Sequence, residues 1–211
     1  MTPAPHLGLG LLLTAAAGMI DVVGFIELGG FYTSFMSGNT TQLGAGLTGM
    51  EGMLVALPLG LLIMFFCGSF LGALLASFPR AGSRAVTALV LCGLLATLAL
   101  HLLGVPSMQA MLVLAASAGA QNAILTQKGA ARLGTTFITG TLFAAGQDLA
   151  RAVRGHAPPL RWMQHLLVWF ALLFGALVGA AAYGPWQLWA LLLPGAIYLA
   201  TLAGFLFRPA Q

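Results

Sequence analysis

Two short stretches set hydroxyl, amide and glycine residues side by side: Phe35-Met36-Ser37-Gly38-Asn39-Thr40 and Phe137-Ile138-Thr139-Gly140-Thr141. Ser and Thr are helix N-cap types, and glycine permits a sharp chain reversal and close backbone approach. A helix starting at each would present free N–H groups and the positive end of its dipole, which favour an anion or a carbonyl-rich solute. Ser37, Gly38, Asn39, Thr40, Thr139, Gly140 and Thr141 are therefore candidate solute-binding residues. Asp21 is the one acid well inside an apolar run. A charge there is costly and by default marks a proton relay or counter-ion, so Asp21 is the candidate ion-coupling residue. Gln121 and Asn122 stand at the corresponding place in the second half and join the solute-binding candidates. Asp148, near Arg151 and Arg154, reads instead as an interfacial ion pair.

The rest of the inventory excludes more than it offers. There is no nucleophile elbow, zinc-binding helix or Walker loop, and no His and Asp are placed beside a Ser as a triad needs. His101 and His165 lack a partner at metal-ligand spacing. No enzyme activity, metal or cofactor is expected. Cys67 and Cys92 sit in apolar runs and imply no disulfide framework.

Composition fixes the setting. Of 211 residues, 60% are hydrophobic and 6% charged, with mean hydropathy +0.99. Soluble domains carry about 25% charged residues. A soluble enzyme, a nucleic-acid binder and a disordered chain are all excluded. The eight Lys and Arg residues are scattered, act as orientation signals, and make no phosphate-tracking stripe.

Six stretches reach the length of about 20 apolar residues that a spanning helix needs: 8–27, 54–78, 85–104, 107–126, 162–183 and 186–207. The first resembles a signal peptide in its apolar run and Ala-rich end, but has no basic n-region and is read as a span. Segments 29–50 and 130–153 are long enough to cross but rich in Thr, Ser, Gly and Asn, which suits backbone buried in protein or lining a cavity. Eight full crossings would put Arg80, Arg84, Lys128 and Arg132 on one side and Arg151, Arg154, Arg161 and Arg208 on the other. That violates the positive-inside rule, whereas a re-entrant 130–153 gathers all eight on one face.

The chain also repeats itself. Ala17-Gly18-Met19-Ile20-Asp21 matches Ala118-Gly119-Ala120-Gln121-Asn122, the two hydroxyl-glycine motifs match, and Phe66–Ala73 matches Leu173–Ala180. The halves are 1–104 and 105–211, each with three spans and one re-entrant segment. Three crossings invert one half relative to the other. The expected fold is all-α and polytopic: six transmembrane helices plus two re-entrant half-helices in an inverted 3+3 repeat, forming one integrated membrane domain. Both termini then lie on the basic, cytoplasmic side, with Glu27 and Glu51 opposite. Gly68-x3-Gly72 and Gly175-x3-Gly179 allow close helix packing, within the chain or at a homodimer seam. Trp162, Trp169, Trp186 and Trp189 suit the interfacial belt.

Ala17-Gly18-x2-Asp21, Phe31-x4-Met36-Ser37-Gly38-Asn39-Thr40, Gly119-x-Gln121-Asn122-Ala123 and Thr135-Thr136-x2-Thr139-Gly140-Thr141 resemble the YoaK family of bacterial inner-membrane proteins, a domain of unknown function, over residues 8–207. Ser37 replaces the family's Thr and keeps the hydroxyl. The resemblance implies a bacterial multi-pass inner-membrane protein and supplies no substrate. The leading expectation is a secondary transporter for a small polar or anionic solute, with Asp21 coupling movement to a proton or other cation. An uncoupled channel and a non-transporting membrane scaffold are the alternatives.

Overall fold

A computed structural model describes residues 4–49, 52–79, 81–125 and 138–207. The helices are α1 (Ala4–Glu27), α2 (Met36–Gly49), α3 (Gly52–Ala76), α4 (Gly82–Leu102), α5 (Ser107–Gln121), α6 (Ile138–Val153), α7 (Arg161–Trp186) and α8 (Leu192–Phe207), with a 3-10 turn at Gln187–Leu191. No strand occurs among the described residues. Among the described residues, four stretches are long and apolar enough to cross a membrane: Pro5–Glu27, Gly52–Ala76, Gly82–Leu102 and Arg161–Phe207. The last, of 47 residues, folds as α7, the 3-10 turn and α8. The break follows Gly184-Pro185 and places Gln187 at φ 50°.

Three boundaries differ from expectation, the first at the span 186–207, where α8 begins only at Leu192 after the 3-10 turn. α5 stops at Gln121, and Asn122–Leu125 turn away, so the expected span 107–126 contains a helix of 15 residues. At 1.5 Å per residue that is about 22 Å, short of a ~30 Å hydrocarbon core. The cause is polar: Gln121-Asn122 interrupts an otherwise apolar run. The segment 29–50 begins irregularly, with Gly29 and Gly30 at φ 62° and 111°, and becomes helical at Met36. Of the segment 130–153, residues 138–153 form α6, while Lys128, Arg132, Thr135, Thr136 and Phe137 lie outside the described residues, as do Arg80, Glu51 and Arg208.

Small residues dictate the packing. α1 lies along α7 and α5 lies along α3, while α2 covers α3 and α6 covers α7. A Cβ on Gly18 would strike the Leu172 carbonyl and the Ala176 amide; one on Gly119 would strike the Phe65 carbonyl and the Ser69 amide. Likewise Gly175 abuts the Ala15 carbonyl and Gly68 that of Ala116, while Gly179 abuts Met19 and Gly72 abuts Ala120. In each pair the partners on α1 and α5 stand 101 places apart, and those on α3 and α7 stand 107 apart. Both glycine ridges therefore pack within the chain. The order of these contacts makes α1 parallel to α7 and α3 parallel to α5.

Further contacts fix the ends. A cavity of about 110 Å³ is lined by Pro5, His6 and Leu9 of α1, Ser83 of α4, Ile124 and Leu125 after α5, and Phe205 of α8. The start of α1, the start of α4 and the end of α8 thus share one face. At the other end the Tyr183 hydroxyl donates to Glu27 Oε1 at 2.6 Å. Leu13, Ile20, Leu61, Leu94, Met111, Leu114 and Tyr198 form the buried centre, while Phe66, Phe70, Phe170 and Phe174 face outward, as a lipid-facing surface requires.

Candidate functional site

Asp21 lies on α1, one turn beyond Gly18 and one turn before Phe25. Its Oδ1 accepts the Ser34 N–H at 2.9 Å and the Thr33 hydroxyl at 3.2 Å. The carboxylate thus holds the irregular 28–35 segment against α1, and Gly24 leaves room for the Thr33 side chain. Asn39 completes this hold from α2. It is fully buried; its Oδ1 accepts the Tyr32 N–H at 3.0 Å and its Nδ2 donates to the Tyr32 carbonyl at 2.7 Å. Gln42 Nε2 donates to the Gly30 carbonyl at 2.9 Å. Replacing Asn39 by Ala orphans both polar groups of the Tyr32 peptide. The expected loss is about 1–3 kcal/mol of stability, read as a lower melting temperature in detergent.

Where the two hydroxyl-glycine motifs begin, they meet. Ser34, Phe35, Met36 and Ser37 at the start of α2, Phe65 in the middle of α3, and Ile138, Thr139 and Gly140 at the start of α6 line one cavity of about 230 Å³. Asp21 adjoins it through Ser34, and itself lines a neighbouring cavity of about 310 Å³ with Gly18, Val22, Phe25, Tyr32, Leu172 and Ala176. Ser37, Thr139, Gly140 and Asp21 are thus brought together.

Other candidates have different occupations. Asn39 holds the loop, as described. The Thr40 hydroxyl donates to the Met36 carbonyl at 2.8 Å. Gly38 lies beneath the Phe35 and Tyr32 rings, which a Cβ would meet at 2.6 and 3.0 Å. Thr141 is buried and is not among the residues lining either cavity. Gln121 is buried and accepts a hydrogen bond from the Tyr198 hydroxyl, while its Nε2 has no partner among the described residues. Asn122 Nδ2 donates to the Ala118 carbonyl at 3.3 Å. The start of α2 is also poorer in open donors than its sequence implies. The Met36 N–H goes to the Ser34 carbonyl at 3.1 Å, and the Gly38 and Asn39 N–H groups go to the Phe35 carbonyl at 3.1 and 3.3 Å.

Gly140 differs from the ridge glycines, because among the described residues a Cβ there meets nothing within 4 Å. Gly140→Ala is expected to raise stability by about 0.5–1 kcal/mol through helix propensity. A melting curve in detergent checks the sign.

At the far end of α6, Asp148 is clamped rather than free. Arg161 donates from Nε to Oδ2 at 2.7 Å and from Nη2 to Oδ1 at 2.5 Å; His165 Nε2 lies 3.3 Å from Oδ2, and Arg151 Nη1 lies 3.7 Å from Oδ1. The ion pair expected there exists, with Arg161 as the main partner. The hydrogen bonds from Arg161 hold the Asp148 carboxyl below its usual range, against the opposing effect of burial. A depressed carboxyl contributes stability that is complete above its ordinary value near 4 and is lost as pH falls through the lowered one. Arg161 is a quarter exposed, so solvent screening discounts this contribution. Melting temperature should fall on acidification below about pH 4, and Asp148→Asn should flatten that fall.

Sequence comparison places the chain among transmembrane proteins. The family described as "Protein of unknown function (DUF1275)" matches residues 9–204. The UPF0700 transmembrane protein RA0705 of Rhizobium meliloti (strain 1021) is 32% identical over 177 residues, covering 81% of this chain and 75% of its own. The UPF0700 transmembrane protein YoaK of Bacillus subtilis (strain 168) is 29% identical over 147 residues, covering 66% of this chain; the match spans 65% of the Bacillus protein's length. No solved structure matches significantly. With four apolar stretches long enough to cross a bilayer and relatives that carry the transmembrane name, the chain, which is similar to YoaK, is a multi-pass membrane protein belonging to the DUF1275 family.

Proposed function

We propose that the protein is a small-solute secondary transporter of the bacterial inner membrane. One observation carries this reading: the first turns of α2 and α6, from opposite halves of the chain, line a single cavity at the middle of α3, and the one acid within an apolar helix adjoins it. In this reading α1, α3, α4, α7 and α8 cross the membrane, α5 crosses together with the Asn122–Leu125 stretch that follows it, and α2 and α6 are re-entrant half-helices. The paired glycine contacts at constant sequence offsets support an inverted repeat of 1–104 and 105–211. Ser37, Thr139 and Gly140 contact the solute, and Asp21 couples its passage to an ion. Rocking of one repeat against the other alternates access. The basic face, with Arg84, Arg151, Arg154 and Arg161, is cytoplasmic and holds both termini.

A non-transporting scaffold is the second reading. It draws on the side chains of Asn39, Thr40 and Thr41, all bonded to nearby backbone. Uptake into proteoliposomes under an imposed pH gradient separates the readings, with labelled methylammonium, acetate and glycerol as probes. The transporter accumulates at least one probe above protein-free liposomes and releases it when the gradient is discharged. A channel equilibrates a probe without accumulating it, and a scaffold moves none.

A further inference from the structure

The larger cavity has a chemistry of its own. Within one turn α1 presents Asp21, Val22 and Phe25, and residues four apart share a helix face. Phe25 and Tyr32 pack with ring centroids 5.1 Å apart and an interplanar angle of 35°, making one aromatic wall. Phe35 braces Tyr32 edge-on, also at 5.1 Å. α7 closes the opposite side with Leu172 and Ala176, and the close approach at Gly18 fixes that spacing. The space, about 310 Å³, is at the lower end of small-molecule pockets, roughly 300–1,000 Å³.

From this we infer that the cavity is a binding site for a small organic cation, whose ammonium group sits between the Asp21 carboxylate and the aromatic wall of Phe25 and Tyr32. The Ser34 N–H and the Thr33 hydroxyl hold the carboxylate through Oδ1, and Asp21 lines the cavity. Among the described residues, no Lys, Arg or His lines the cavity. An ionised carboxylate in this setting therefore draws its counter-charge from what enters. The rest of the wall is apolar or aromatic. It lacks the oxygen-rich shell that a small inorganic ion needs, and it suits a weakly hydrated cation held partly by cation–π attraction.

The repeat strengthens the assignment. Where the first half has Asp21, the corresponding position of the second half has Asn122, just after α5, whose Nδ2 donates to the Ala118 carbonyl. The repeat does not demand an acid at this place, so the acid in one half reads as a site. Ser34 links it to the cavity between α2 and α6: its N–H is on Asp21 and its side lines that second space. The inference rests on the transport reading for its biological use, giving the Asp21 ion site its ligand class.

The test is equilibrium binding of labelled tetramethylammonium to the purified full-length protein in detergent. Saturable binding that equimolar sodium does not displace is expected. Asp21→Asn should weaken it at least tenfold. Phe25 is partly exposed and can be changed without disturbing the core. Phe25→Leu should weaken binding two- to fivefold, while Phe25→Trp should keep or tighten it. Absence of saturable binding, displacement by sodium, or equal affinity of the Leu and Trp variants overturns the site. The Phe25 pair decides the matter even if Asp21→Asn folds poorly. Binding needs no gradient, so a protein that binds tetramethylammonium but moves no probe refutes transport alone. One that accumulates acetate or glycerol without binding the cation refutes this site alone.

Discussion

Asp21→Asn should bring gradient-driven accumulation in proteoliposomes down to the protein-free level while the melting temperature stays within a few degrees of wild type. The geometry separates the two effects. Asparagine keeps a side-chain oxygen at the place of Oδ1, so the Ser34 N–H and the Thr33 hydroxyl retain their acceptor. What disappears is the charge on the side facing the cavity. The second half already carries Asn122 at the corresponding position, so the fold tolerates the amide. Asp21→Ala is the informative contrast. It removes the acceptor as well, leaves a part-buried N–H without a partner, and should cost about 1–3 kcal/mol besides abolishing accumulation. A scaffold would respond to the alanine variant and ignore the asparagine one. Equal accumulation by wild type and Asp21→Asn would end the coupling role.

The second large effect is on folding. Gly68→Leu and Gly175→Leu should each leave little monodisperse protein after extraction. Overpacking a core usually costs about 1–3 kcal/mol because side chains shift to absorb it. Here the first obstacle is the backbone carbonyl of Ala116 or Ala15, which cannot rotate away, so α5 must part from α3, or α1 from α7. Loss of either contact is serious against a total stability of about 5–15 kcal/mol. Gly204→Leu serves as the control, because its Cβ meets nothing within 4 Å. Size-exclusion profiles of the three variants read the difference. Wild-type yield and elution for Gly68→Leu would contradict the close helix approach.

The two halves were equally vulnerable on sequence grounds, because the glycine spacing is itself the packing instruction. Gly68-x3-Gly72 and Gly175-x3-Gly179 mark helix faces where only backbone can fit, and the structure sets backbone there. Ser37, Thr139 and Gly140 were legible for a similar reason: hydroxyl and glycine within an apolar chain need a cavity or a partner. Asn39 shows where such reading stops. Its amide has the same hydrogen-bonding inventory whether it meets a solute or the peptide of Tyr32, and only the fold of the 28–35 segment decides. Asp148 is a parallel case. Arg151 and Arg154 are its sequence neighbours, but the turn between α6 and α7 brings Arg161 to both of its oxygens. Gln121 and Tyr198 are 77 positions apart, and a buried hydroxyl seeking an acceptor has no local sequence signature. The aromatic wall of Phe25 and Tyr32 was hidden likewise, because Phe in a membrane chain is ordinarily a lipid-facing residue.

The shared cavity at the starts of α2 and α6 is tested most directly by cross-linking of Ser37→Cys with Thr139→Cys in a protein lacking Cys67 and Cys92, both of which are exposed and replaceable by Ser. Mild oxidation in native membranes should join the pair within one chain, while Ser37→Cys with Gly204→Cys should remain unlinked. Failure of the first pair to link, with each cysteine labelled by an impermeant maleimide from opposite sides of the membrane, would contradict the shared cavity and the transport reading built on it.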